Sequence, residues 1–273
     1  MIKTAAGIIT VVILFFGLWY VAVPEDLIVG LIEGSVKSDI FSLKAEDLKK
    51  GLLFNFTVER MILMKRNSRD TGEKIPEGNG IPLLVMEGMH NRISPLSLLT
   101  LHPELTFKGR LYGGSVLGTV HLTQKASWHM QGSAISLHGI PLLGLFGIQG
   151  EGILSGEVKS HEGEGEARFS ADHLKLRNTS SDGVILPLDV FHTMRGTLKL
   201  GGDIVDIQSL TLNGDGLRAR MKGTIRGRLL DSSIEVMIDS SSGQGPLFQA
   251  MLSPYQVSPG YFVIPVRTTL KGL

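Results

Sequence analysis

The sequence predicts a mainly β protein: one N-terminal transmembrane helix, then an extended antiparallel sheet with a few short helices. Three observations predict it. The N-terminus holds an uncharged apolar run, the later segments alternate apolar and polar residues with period two, and Gly-rich turn signals separate those segments.

The first element is TAAGIITVVILFFGLWYVAVP, Thr4 to Pro24, with no charged residue before Glu25 and Asp26. As a helix its 21 residues rise about 31 Å, the thickness of a bilayer's hydrocarbon core. Lys3 before the run and two carboxylates after it put the N-terminus in the cytoplasm by the positive-inside rule, with Trp19 and Tyr20 at the far interface. A cleaved signal peptide fits the length, yet its small-residue cleavage pattern is missing, because bulky Tyr20 stands two residues before Ala22. Residues 1–24 are therefore read as an uncleaved anchor and residues 25–273 as one exported body.

PEDLIVGLIEGSVKS, residues 24–38, reads as a short helix, as do PLSLLTL at 95–101 and PLLGLF at 141–146. In LFNFTVER, Phe54, Phe56 and Val58 alternate with Asn55, Thr57 and Glu59, the pattern of a half-buried strand. Residues 65–80, KRNSRDTGEKIPEGNG, form a polar loop punctuated by Gly and Pro. FKGRLYGGSVLGTVHL, residues 107–122, reads as a hairpin. Phe107, Gly109, Leu111 and Gly113 share one face of its first strand and Val116, Gly118, Val120 and Leu122 one face of its second, with the bend at Gly113-Gly114.

From Met194 onward strands and turns alternate, with turn signals at Gly201-Gly202, at NGDG (213–216, with Gly214 and Gly216) and at LDSS (230–233). In GLRARMKGTIRGRL, Leu217, Ala219, Met221, Gly223, Ile225 and Gly227 fall on one face, and Arg218, Arg220, Lys222, Thr224, Arg226 and Arg228 on the other. A helix would smear those charges around its circumference, whereas a strand separates them. SIEVMID repeats the device, with Ile234, Val236 and Ile238 opposed to Glu235 and Asp239.

Composition narrows the function. The 27 basic and 26 acidic side chains nearly cancel, which points to neither a nucleic-acid groove nor an acidic tail. The absence of cysteine excludes disulfides, thiolate metal sites and thiol nucleophiles. No Walker loop is present, and in GIQGEGILSGEV the glycines at 150, 152 and 156 keep strand phase instead of leaving it for a phosphate loop. GGSVL puts Leu117 where a nucleophile elbow needs its second glycine. The histidines show no metal-ligand spacing, and His121 and His129 lack a third ligand. Glu162, Glu164 and Glu166 alternate with Gly163, Gly165 and Ala167, which makes them a wet strand face before a catalytic carboxylate pair. No aromatic residue interleaves the basic row from Arg218 to Arg228, so base stacking is not on offer; contact with anionic headgroups and protection against sheet aggregation remain. No enzyme, cofactor, metal or nucleic acid is expected.

The order of segments carries a resemblance. ISPLSLLTLHPELTFKGRLYGGSVLGTVHL, ISLHGIPLLGLFGIQGEGILSGEV, LPLDVFHTMRGTLKLGGDIVDIQSLTLNGDGLRARMKGTIRGRL and GYFVIPVRTTLKGL together resemble the type II secretion system protein N family, whose members look like short relatives of AsmA-like proteins. The matching stretches lie within residues 93–273, about two thirds of the chain, and the N-terminal anchor suits the family's layout. The resemblance implies a single-pass inner-membrane protein with a periplasmic body of curved antiparallel sheet. It also implies an accessory role in moving folded exoproteins across the outer membrane, beside other secretion proteins. It supplies no catalytic residues. Gly113, Gly114, Pro141, Gly150, Gly156, Gly214, Gly216, Gly223, Tyr261 and Pro265 match as structural positions, whereas Arg267 and the Thr268-Thr269 pair depart from the family's closing strand. The rival expectation is a lipid-handling module that holds acyl chains on an apolar concave face of Leu111, Val116, Val120, Leu122, Leu217, Met221 and Ile225. An ordinary buried core explains the same residues and is preferred, because any sheet must bury one face.

Overall fold

The computed structural model describes residues 17–34, 41–65, 81–121, 127–141, 148–178, 188–239 and 246–269, apart from positions 18, 22, 53, 96, 98, 99, 101, 203 and 228. Its contacts gather into two compact units, residues 1–111 with 116–124, and residues 112–115 with 125–273.

The first unit carries helix α1 (Glu25–Gly34) and strands β1 (Phe41–Lys50), β2 (Asn55–Lys65), β3 (Ile81–Ile93), β4 (Glu104–Leu111) and most of β5 (Gly114–His121). The second carries β6 (Ser127–Ser136), β7 (Ile148–His161), β8 (Glu164–Asn178), β9 (Phe191–Gly201), β10 (Ile204–Gly214), β11 (Leu217–Arg226) and β12 (Leu229–Ile238). Helix α2 (Pro246–Leu252), the three-residue β13 (Gln256–Ser258) and β14 (Tyr261–Thr269) complete it. Among the described residues 14 strands form one sheet in chain order to β12, followed by β14 and then β13. The pairs with a given register are all antiparallel, so alternation can bury one face of the strands without crossover helices.

In the first unit, Phe54, Phe56 and Val58 meet Leu48, Met89, Ile28 of α1 and Trp19 in one buried cluster. In the second, Phe191, Leu217, Ala219, Val236, Ile238, Phe262 and Ile264 pack together under Leu252 of α2. A neighbouring cluster joins Leu137, Ala171, Leu174 and Leu176. The alternating residues of the 217–226 and 234–238 stretches thus point as their period predicts, Leu217 and Val236 inward and Arg218 outward.

The turns differ from the predicted positions. The 107–122 hairpin bends at Tyr112-Gly113, both with positive φ (45° and 82°), and Gly114 already belongs to β5. Two positive φ values are what a two-residue reversal needs to match the twist of its strands. Glu162-Gly163 makes the same bend between β7 and β8, at φ 54° and 86°, so the three glutamates at 162, 164 and 166 do not lie on one strand. Gly201 stays in β9 opposite Ile204, and Gly202 begins the reversal. Asn213 and Gly214 remain in β10, which leaves Asp215-Gly216 as the turn. LDSS is not a turn at all; it runs inside β12, after a reversal at Gly227. Ser232 is buried opposite Gly223, and its hydroxyl donates to the Val266 carbonyl at 3.5 Å. Pairing on both sides of β12 here outweighs the local turn preference of Asp and Ser.

Of the expected anchor, residues 1–16, 18 and 22 lie outside the described residues. Among the described residues no helix is long and apolar enough to cross a membrane. The expected helix at 24–38 is present as α1 over Glu25–Gly34. Residues 66–80 of the expected loop, most of 95–101, and 142–146 of the expected helix at 141–146 also lie outside the described residues.

Candidate functional site

The seven apolar candidates divide by burial. Leu111 and Val116 are buried within the first unit, Leu217 is buried in the main core of the second, and Leu122 lies outside the described residues. Val120, Met221 and Ile225 are only half-buried. Met221 stands between Leu210 and Ile234, and Ile225 between Val205 and Leu230, with Leu200 beyond Val205. The half-buried side chains of β9–β12 make an aliphatic strip that continues the core face away from Leu217.

The opposite face carries charge in register. Lys159, Glu166, Lys199 and Asp206 stand directly opposite one another along β7, β8, β9 and β10. Glu157 accepts from Lys159 and pairs with the His129 ring at 2.7 Å, while Arg168 Nε donates to Glu166 at 2.7 Å. The Lys159 ammonium, and after it the His129 imidazole, hold the Glu157 carboxyl below the usual carboxylate range. Glu166 raises the already high pKa of the Arg168 guanidinium. Such opposed charges fix strand register more than they add stability, since exposed ion pairs contribute little. His121 lies 4.0 Å from Glu104, and no group of three or more ligating side chains that could hold a metal ion occurs among the described residues.

A depression of about 610 Å³ opens where β8 and β9 part. Their pairing stops at Ala171 and Met194, while β8 continues against β7 and β9 against β10. His173, at φ 55°, sits at the register shift that bends β8 away. Asp172, His173 and Lys175 from β8, and His192 and Thr193 from β9, line the opening with Asp189. His192 Nε2 reaches Asp215 at 3.0 Å.

Comparison with protein-family models, with curated proteins and with solved structures finds no match for the chain.

The described end of the N-terminal segment meets the sheet through Trp19 and Lys50. Trp19 is 8% exposed, donates from Nε1 to the Gly51 carbonyl at 3.3 Å and stacks 5.0 Å from the Phe54 ring. Trp19, expected from the sequence at the far interface, thus packs against Gly51 and Phe54. Lys50 donates from Nζ to the carbonyls of Trp19, Tyr20 (2.7 Å) and Val23, the groups that a helix leaves unpaired at its C-terminal end. The edge strand β1 is covered as well: the Ala45 amide donates to Glu33 at 3.1 Å and the Lys50 amide to Glu25 at 3.0 Å, both on α1.

Sequence reasoning brought neither this junction nor the β8–β9 opening together. Glu25 and Glu33 stand eight residues apart on a short acidic helix, a spacing that puts both on one side and is the one local signal available. The opening depends on where two strands stop pairing, for which His173 carries no local mark.

Proposed function

We propose that the chain is a non-enzymatic, single-pass inner-membrane component of a type II secretion system, whose periplasmic body of curved sheet works through protein contacts. The observation that carries this reading is the antiparallel meander, with an apolar and a charge-paired face in its second unit, in the order of segments that resembles the family. A two-faced sheet offers contact area and backbone edges, the means by which non-catalytic scaffolds engage partners. The junction at Trp19 and Lys50 ties the end of the anchor segment to that body. The test is deletion of the gene with measurement of exoproteins in the medium. Secretion falls and returns when the full chain is supplied in trans; unchanged secretion overturns the reading.

A second reading has its own observation. The half-buried strip around Met221 and Ile225 is apolar and continues beyond the closed core, as an acyl-binding face of an AsmA-like module would. A photocrosslinker at position 221 or 225 then captures co-purifying lipid, whereas one at Leu217, inside the core, does not. Equal absence of lipid adducts from all three positions removes this reading.

A further inference from the structure

The polar face of the second unit sets Lys159, Glu166, Lys199 and Asp206 against each other in one row, whereas near one end of β11 the basic side chains outnumber the acidic ones. There Arg195 of β9 faces Thr211 of β10, and Thr211 faces Arg220 of β11, so no carboxylate separates the two arginines along that row. On the β12 side Arg220 faces Glu235 and Arg218 faces Met237. These two adjacent cross-strand pairs line a depression of about 110 Å³. Two guanidinium groups against one carboxylate leave it with net positive charge.

The Nε of Arg220 is buried and has no hydrogen-bond partner among the described residues. A buried donor on a charged group is costly to leave unpaired, so this nitrogen calls for an acceptor that enters the depression. Arginine's planar fork fits two oxygens of one oxyanion, and a second arginine two residues along the same strand face can close on the same group. The space is small and admits one tetrahedral oxyanion.

We propose that Arg218 and Arg220 form a binding site for a phosphate-class oxyanion on the polar face of the sheet, filled by free phosphate or by the phosphate of a lipid headgroup. Arg220 supplies the buried Nε–H, Arg218 closes the site from its exposed side, and Glu235 lowers the affinity by repulsion. A like charge at the rim also favours release.

The test uses the purified full chain and inorganic phosphate, with the backbone amide resonances of β11 followed by NMR in wild type and in each variant. Wild type shows a saturable shift. Arg220→Lys, which keeps the charge and loses the fork, binds roughly tenfold more weakly. Glu235→Gln binds about three- to tenfold more tightly. No saturable shift, or a Glu235→Gln variant that binds no better than wild type, overturns the site. Unchanged thermal midpoints for both variants establish that the fold is intact, and should Arg220→Lys unfold, the Glu235→Gln comparison decides alone. Flotation with phosphatidylglycerol vesicles, against phosphatidylcholine vesicles and with phosphate as competitor, separates the sources. Phosphate-competed binding to the anionic vesicles supports the site with a headgroup as occupant, and phosphate binding without vesicle binding supports it with the free ion.

Discussion

At Gly196 a Cβ would overlap the ring of Phe169, its cross-strand neighbour on β8, and at Gly118 a Cβ would overlap the ring of Phe107. The glycines inside these strands are therefore the floor on which aromatic rings lie flat, which is why they keep strand phase. Gly196→Val should destabilise the chain by about 2 kcal/mol or more, read from the urea midpoint. Combining it with Phe169→Ala should recover part of the loss; strict additivity of the two changes would deny the contact. Glu157 makes a different single-residue prediction. Its folded carboxyl is held low by Lys159 first and His129 second. Its contribution to stability is therefore present above the unfolded carboxylate value and lost as pH falls through the lower folded one. A carboxyl titration by NMR should place Glu157 below the unpaired Glu range, and Lys159→Met should move it upward. No upward movement in that variant would show that Lys159 is not the cause.

Among the elements, the strands were legible because period two survives burial on one face only, as at Phe54, Phe56 and Val58. The hairpin bends were less so. Tyr112 and Glu162 occupy positions with positive φ where Asn or Asp is usual, and only the following glycine marks them. LDSS carries every local mark of a turn and is a strand, because Gly223 leaves room for Ser232 between two paired neighbours. Strain at Glu162 leads to a prediction: Glu162→Asn should raise stability by about 0.5–1 kcal/mol, measured by thermal or urea unfolding, since its exposed contact with His161 at 3.3 Å offsets little. A lower midpoint would mean that the side-chain interactions of Glu162 outweigh the backbone. The β1 edge supplies another. With Glu33→Gln and Glu25→Gln, amide exchange at Ala45 and Lys50 should quicken about tenfold, because charge-assisted acceptors have been weakened. Unaltered exchange at both amides would mean that α1 does not guard the edge.

Over the whole molecule, the sequence's two largest expectations are a β-meander and an N-terminal anchor, and the described residues show contact between Trp19 and the sheet. The alternation that exposes the meander says nothing about Trp19, whose burial depends on Gly51 and Phe54 more than 30 residues away. Read locally, an aromatic at the end of an apolar run belongs at a lipid interface, and nothing local marks its contact with Gly51 and Phe54. Lys50 is equally opaque, an ordinary charge at the end of an amphipathic strand until its ammonium is seen 5.9 Å and 5.3 Å from the Trp19 and Tyr20 rings with three carbonyls around it. If that contact holds Trp19, Tyr20 and Val23 against the sheet, loosening it should free them without unfolding the sheet. In a Trp128→Phe background, which leaves Trp19 as the single tryptophan, Lys50→Met should shift Trp19 emission to the red and make the chain near Val21 and Pro24 more accessible to protease. Far-UV circular dichroism should stay that of a β-sheet protein. Trp19→Ala should act more strongly, lowering stability by about 3 kcal/mol through the cavity beside Phe54. An unshifted Trp19 spectrum in Lys50→Met would show that Phe54 and Gly51 hold the indole by themselves, and that the ammonium only caps the carbonyls beside it.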